Sequence, residues 1–133
     1  MKRFLNKESL VIGTLITSML CFFLPWFYFC RDIDDGSGKY YLLNTPLILL
    51  FFVAIICTYI KEYLIAAISS SLIIAYQLYL FLTYPVIIYA DKIDILTSLS
   101  VTHYGFYLTL LTLVIATSCN FKFYFSSKHQ KLS

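Results

Sequence analysis

The sequence predicts an all-α integral membrane protein, a four-helix bundle of two antiparallel transmembrane hairpins with both chain ends on the cytoplasmic side. Three observations predict it. The 133 residues are 60% hydrophobic and 19% aromatic, with a mean hydropathy of +0.80, against an apolar share of roughly 45–50% in a soluble domain. Four apolar runs, at 10–29, 44–60, 63–83 and 104–119, approach the ~20 residues that a helix needs to cross a hydrocarbon core of about 30 Å. Charged residues make up 13% of the chain and fall almost entirely between these runs or at its two ends. A single membrane domain over 1–133 follows, with outer loops at 30–43 and 84–103.

The first run, Leu10 to Phe29, holds no ionisable acid or base between Lys2, Arg3 and Lys7 on one side and Asp32, Asp34 and Asp35 on the other. Basic flanks stay cytoplasmic and Trp settles at the membrane interface, so the outer end carries Trp26 as an interface anchor. Ser9 is placed to cap this helix through its side-chain oxygen, and Pro25 to kink or end it. The charged start resembles that of a signal peptide. Its apolar run, however, exceeds the usual h-region of about 7–15 residues, and the outer end is aromatic where a peptidase reads small residues, so the span is expected to be retained.

Cys30 to Leu43 is the most polar stretch and is expected as an exposed outer turn. Two motifs in it fail on spacing. In DIDDGSG, Gly36 stands where the third calcium ligand belongs and no bidentate Glu follows. In GSGK, the earlier glycine of a phosphate-binding loop and the Ser or Thr after Lys39 are missing.

The second span, 44–60, tolerates Pro46 near its start, where first-turn N–H groups lack acceptors. Lys61 and Glu62 then supply the whole polar part of a tight inner turn, bracketed by Tyr59 and Tyr63. The third span carries Ser69, Ser70 and Ser71, small hydroxyl residues of the kind that let helices approach closely in lipid. Gln77 follows, the most polar side chain deep in any span, with Tyr76 and Tyr79 beside it. A buried amide needs partners, so Gln77 is expected in an interhelical hydrogen bond, the alternative being a pore or ligand cleft that it lines with Tyr76.

In the second outer connection Pro85 is expected to stop the third span, and Asp91, Lys92 and Asp94 mark its water-exposed part. Ile87, Ile88, Ile93, Ile95, Leu96 and Leu99 make it too apolar for a free loop, which points to an interfacial or capping helix. His103 is expected at the interface, where an ordinary imidazole pKa of about 6.5 would let it sense external acidity. The last span bears Thr109, Thr112 and Thr117, and ends in a tail with Lys122, Lys128 and Lys131. Counted over the segments, Lys and Arg stand seven inside (Lys2, Arg3, Lys7, Lys61, Lys122, Lys128, Lys131) against three outside (Arg31, Lys39, Lys92), which orients both ends inward.

The chemistry-bearing residues argue against catalysis. No Asp, Glu, Lys, Arg or His lies at the centre of a span, where one would mark an ion path or proton relay. The sequence contains no H-E-x-x-H, no G-x-S-x-G and no vicinal cysteine pair. Cys21, Cys30, Cys57 and Cys119 follow no metal-ligand spacing, and no cofactor or metal is expected. The formal charge of +3 sits beside span ends without a dense cluster, which speaks for membrane orientation and against nucleic acid.

FLPW at the end of the first span, a glycine-containing polar loop, the turn at Lys61 and Glu62, and YGFYLTLL opening the last span together resemble small four-span bacterial inner-membrane proteins of unassigned role. In size and character the chain is also similar to inner-membrane immunity proteins against pore-forming toxins. The resemblance carries over no functional residue. It implies a non-enzymatic multi-pass protein of the bacterial inner membrane, immunity-like or an accessory subunit. Such a protein binds a partner membrane protein, a toxin or another copy of itself through its helices. The alternative is an oligomeric pore or membrane-disrupting effector lined by Ser69, Ser70, Ser71 and Gln77.

Overall fold

The computed structural model describes residues 6–27, 38–89 and 95–132, and the side chains of all but 85–89, 131 and 132. The loop segment with Cys30 and Asp32 to Asp35, and the stretch Asp91 to Asp94, lie outside the described residues.

The described chain is helical: α1 (Lys7–Cys21), α2 (Lys39–Asn44), α3 (Leu47–Tyr59), α4 (Tyr63–Tyr89), α5 (Ile95–Val101) and α6 (Tyr104–Leu132). Among the described residues there is no strand, and an isolated antiparallel bridge joins Phe27 to Thr102. Two stretches, Tyr63–Tyr84 and Tyr104–Gln130, are long and apolar enough to cross a membrane. At 15 and 13 residues, α1 and α3 reach only ~20 Å each at 1.5 Å per residue. At one end the chain after α1 turns onto the start of α6 through Pro25 and Trp26, and α2 packs on α3.

Helices α1, α3, α4 and α6 pack in a closed ring, α1 against α3, α3 against α4, α4 against α6 and α6 against α1. Each buries a narrow stripe at alternating spacings of three and four residues. The stripes are Val11, Leu15, Ser18 and Phe22 on α1; Leu47, Phe51, Ala54 and Thr58 on α3; Ala66, Ser70, Ile73, Gln77, Leu80 and Tyr84 on α4; and Phe106, Thr109, Leu113, Ala116 and Asn120 on α6. Two inward positions in seven is the seam of a coiled coil, narrower than the face of an ordinary globular helix.

The first predicted span is a shorter helix than expected. Its end is set by Pro25, whose ring would clash with the carbonyl four residues back, that of Cys21, where α1 stops. The freed Cys21 carbonyl accepts from Leu24 N–H at 3.1 Å and from the Trp26 indole at 3.2 Å. Ser9 lies inside the first turn; the N-cap residue is Asn6. Trp26 is not a lipid-facing anchor. Its side chain is 0% exposed, packed on Phe22 (4.3 Å between ring centroids), Phe106 (5.3 Å) and Tyr41 (6.3 Å). Beside it Phe27 stacks on Tyr84 at 3.8 Å.

Pro25 to Phe27 also tie this end to the start of α6: His103 N–H donates to Trp26 O at 2.6 Å and Gly105 N–H to Pro25 O at 3.1 Å. The close approach requires glycine at 105, since a Cβ there would lie 2.5 Å from Pro25 O and 2.7 Å from Leu24 Cβ. Pro85 does not end the helix: α4 runs through it to Tyr89, so only the Phe81 carbonyl loses its helical donor, while the described stretch apolar enough to cross a membrane ends at Tyr84. The predicted outer connection contains α5, whose Ser98 and Val101 face inward while Ile95, Leu96 and Leu99 are exposed. The expected tail is also helical, because α6 continues to Leu132.

At the other end, α3 closes with both hydrogen bonds of a Schellman motif, Glu62 N–H to Cys57 O (2.8 Å) and Lys61 N–H to Thr58 O (3.3 Å), with Lys61 left-handed at φ 67°. A residue with a Cβ is strained there by about 1–2 kcal/mol. Lys61→Gly is therefore expected to raise stability by about 1 kcal/mol in thermal unfolding of the detergent-solubilised chain. Gly105→Ala is expected to lower it by about 1–3 kcal/mol through overpacking against backbone.

Candidate functional site

The ring of helices is apolar outside and buries a set of polar side chains within its apolar core. Buried polar side chains include Ser18, Thr58, Ser69, Ser70, Gln77, Ser98, Thr102, Thr109, Thr117 and Asn120, while Leu49, Phe52, Ile56, Ile65, Ile68, Leu72, Leu111, Val114 and Ile115 face outward. The candidate site is this inner seam, centred on α6.

Three links in the seam join one helix to another through hydroxyl groups, two between neighbours and one across the ring from α3 to α6. Thr117 Oγ1 donates to Ser70 Oγ at 2.8 Å, and Ser70 in turn donates to Ala66 O and Ala67 O at 3.0 and 3.1 Å. Ser18 Oγ donates to Thr112 Oγ1 at 2.6 Å, and Thr112 passes its proton to Leu108 O or Thr109 O at 3.0 and 2.9 Å. Each chain ends on a carbonyl of its own helix, so every hydroxyl proton has an acceptor without a charged group being buried. The third link joins Thr58 on α3 to Asn120 on α6 at 3.3 Å. Thr58 Oγ1 has one proton, engaged by Ala54 O at 2.8 Å. The contact is therefore better made with the Asn120 amide nitrogen donating to Thr58, an amide orientation chosen by hydrogen bonding.

Of the sequence-predicted residues, Ser69 and Ser70 turn inward, Ser71 is half-buried, and Gln77 is fully buried two turns from Ser70. Gln77 Nε2 lies 3.5 Å from Phe106 O on α6, a weak hydrogen bond, and Gln77 Oε1 has no partner among the described residues. Tyr76 is half-buried at the edge of the core, its ring 6.2 Å from that of Tyr79. Ser70 and Gln77 thus share one face with Ile73 between them, and Tyr76 stands to the side. Ser18, Thr58, Thr112 and Asn120 were not singled out from the sequence as partners; their signal is polarity recurring at three- and four-residue spacing within runs otherwise apolar.

Two polar features lie at the ring's ends. Tyr63 OH donates to Glu8 Oε1 at 2.8 Å, linking the starts of α4 and α1. This hydrogen bond, aided by Lys61 and Lys7, holds the Glu8 carboxyl below its ordinary value of 4.5. His103 stands before α6, its Nδ1 accepting Tyr104 N–H at 2.9 Å. Cys21, Cys57 and Cys119 are free thiols, and no group of three or more His, Cys, Asp or Glu that could hold a metal occurs among the described residues. Comparison of the chain with protein-family models, curated proteins and solved structures finds no match to any of them.

Because Gln77 Oε1 is buried without a donor, and such a group costs about 1–3 kcal/mol, Gln77→Leu is expected to raise the thermal midpoint; a lower midpoint shows that the amide has a partner. Ser70→Ala removes an interhelical bond of about 0.6 kcal/mol and is expected to lower it slightly. A lowered carboxyl pKa stabilises the fold above the ordinary value and the contribution is lost as pH falls through the lowered one. Tyr63→Phe is therefore expected to shift the Glu8 titration upward, measured by NMR of the side-chain carboxyl, and to weaken that pH dependence.

Proposed function

We propose that the chain is a non-enzymatic multi-pass membrane protein whose four packed helices cross the bilayer and recognise the helices of a partner membrane protein, in the manner of an immunity protein or accessory subunit. The observation that carries this reading is the outer surface: the exposed faces of all four packed helices carry Leu, Ile, Val and Phe and are as apolar as the core they enclose, while hydroxyls and an amide lie buried within that core. In water such a surface would be far larger than the few hundred Å² of contiguous apolar patch a soluble monomer presents; in lipid it is the expected exterior. With both ends inside, Lys7, Lys61, Lys122 and Lys128 lie on the cytoplasmic face.

Among the outward faces, α1 permits the closest approach of another helix. Ser9, Gly13 and Thr17 recur every fourth residue and are exposed, and a Cβ added at Gly13 would meet nothing within 4 Å. A mid-helix glycine costs about 1 kcal/mol relative to alanine, and the chain's own packing makes no use of it. Small residues at this spacing are how helices dock in lipid. Closure of Ser70, Thr117, Asn120 and Thr58 on one another favours this binder over the pore, whose conduit would need these groups facing water.

Three measurements test the proposal. The expressed chain is expected to resist alkaline carbonate extraction from bacterial membranes and to leave the membrane potential intact. A membrane partner is expected to co-purify in mild detergent and to be lost in Gly13→Leu without a fall in the variant's thermal midpoint. Extraction by carbonate overturns the membrane reading, and collapse of the potential on induction replaces the binder by the pore.

A further inference from the structure

The end of the ring where α1 and α4 begin gathers cations from three parts of the chain. Glu8 touches Tyr63 there and the Tyr63 ring lies 5.5 Å from Phe123 of α6, which brings Lys7, Lys61 and Lys122, all exposed, to one level. The acids among the described residues are Glu8 and Glu62, and Glu8 is engaged by Tyr63. At the opposite end the one described cation is Lys39. From Phe123, α6 runs on to Leu132, ~14 Å past the start of α4 at 1.5 Å per residue.

The exposed stripe of α6 changes chemistry along this course. Leu111, Val114 and Ile115 come first, then Phe121 and Phe125 beside Lys122, then Lys128 and His129. Aliphatic, aromatic and cationic residues in that order along one face follow the passage from hydrocarbon through the interface to the headgroups. Lys128 lies six residues beyond Lys122, ~9 Å along the axis. The two therefore bracket a layer of the ~5–8 Å that headgroups occupy on each side of a bilayer.

We propose that this end binds the phosphate groups of anionic phospholipids, with Lys7, Lys61 and Lys122 at the inner edge of the headgroup layer and Lys128 at its outer edge. The inference rests on the membrane reading above and adds to it a lipid class. Lysines near an anionic surface each strengthen attraction about fivefold, and the attraction weakens as salt shortens the screening length.

The test uses the full chain in mild detergent with equal amounts of phosphatidylglycerol and phosphatidylcholine, the retained lipid being read by native mass spectrometry. Enrichment of phosphatidylglycerol is expected, falling roughly fivefold per lysine in Lys122→Gln and Lys128→Gln and falling again in high salt, with the thermal midpoint unchanged. Equal retention of the two lipids, retention unaffected by both substitutions, or displacement of phosphatidylglycerol by inorganic phosphate overturns the assignment. Carbonate extraction of the membranes from which the chain is purified separates the two levels: a chain that stays in the bilayer without lipid preference loses only this inference, and a chain that leaves it loses the membrane reading as well.

Discussion

Hydroxyl-to-hydroxyl bonds between α6 and its neighbours set the terms for the rest of the fold. In the membrane setting we propose, apolar outer faces give the helices no hydrophobic reason to associate, so association has to come from close packing and polar contacts. Serine and threonine serve both needs. They are small enough for backbones to approach, and each can donate across the interface or return its proton to its own helix, leaving no charge in the interior. Thr117 to Ser70 on one side of α6 and Ser18 to Thr112 on the other make it the shared member of two helix pairs.

The aromatic end adds what the hydroxyl seam lacks. Trp26, Phe27, Phe106 and Tyr84 fill the space left where α1 stops, and the indole satisfies the carbonyl that Pro25 leaves free. One residue thereby ends a helix and, through the chain it redirects, builds a plug over the bundle. Gly105 lets that plug close against the start of α6.

Helix content was legible in the sequence, because apolar runs separated by charged turns leave few alternatives, and so was the abruptness of the turn at Lys61 and Glu62. Ser70 and Gln77 stood out for the same reason, as polar groups among aliphatic neighbours. Much of the rest was hidden by the uniformity of the runs. With outer and inner faces equally apolar, no amphipathic contrast says which side of α1 or α3 faces its neighbours, so Thr58 and Asn120 could not be paired. Trp26 read as an interface residue because tryptophan is enriched there; its burial depends on a chain reversal that only the packing of Tyr41, Phe106 and Gly38 around it reveals. Pro85 read as a terminator because proline breaks an isolated helix, whereas α4 carries on with one hydrogen bond fewer.

An outer surface as apolar as the core, turned toward lipid, is the central claim, and site-directed spin labelling in lipid nanodiscs tests it most directly. Labels at Ile68, Leu72, Leu111 and Ile115 are predicted to collide freely with oxygen and hardly with a water-soluble nickel chelate, while labels at Ser70 and Ala116 are predicted to be shielded from both. Free access of the chelate to Ile68 and Leu111 would contradict it.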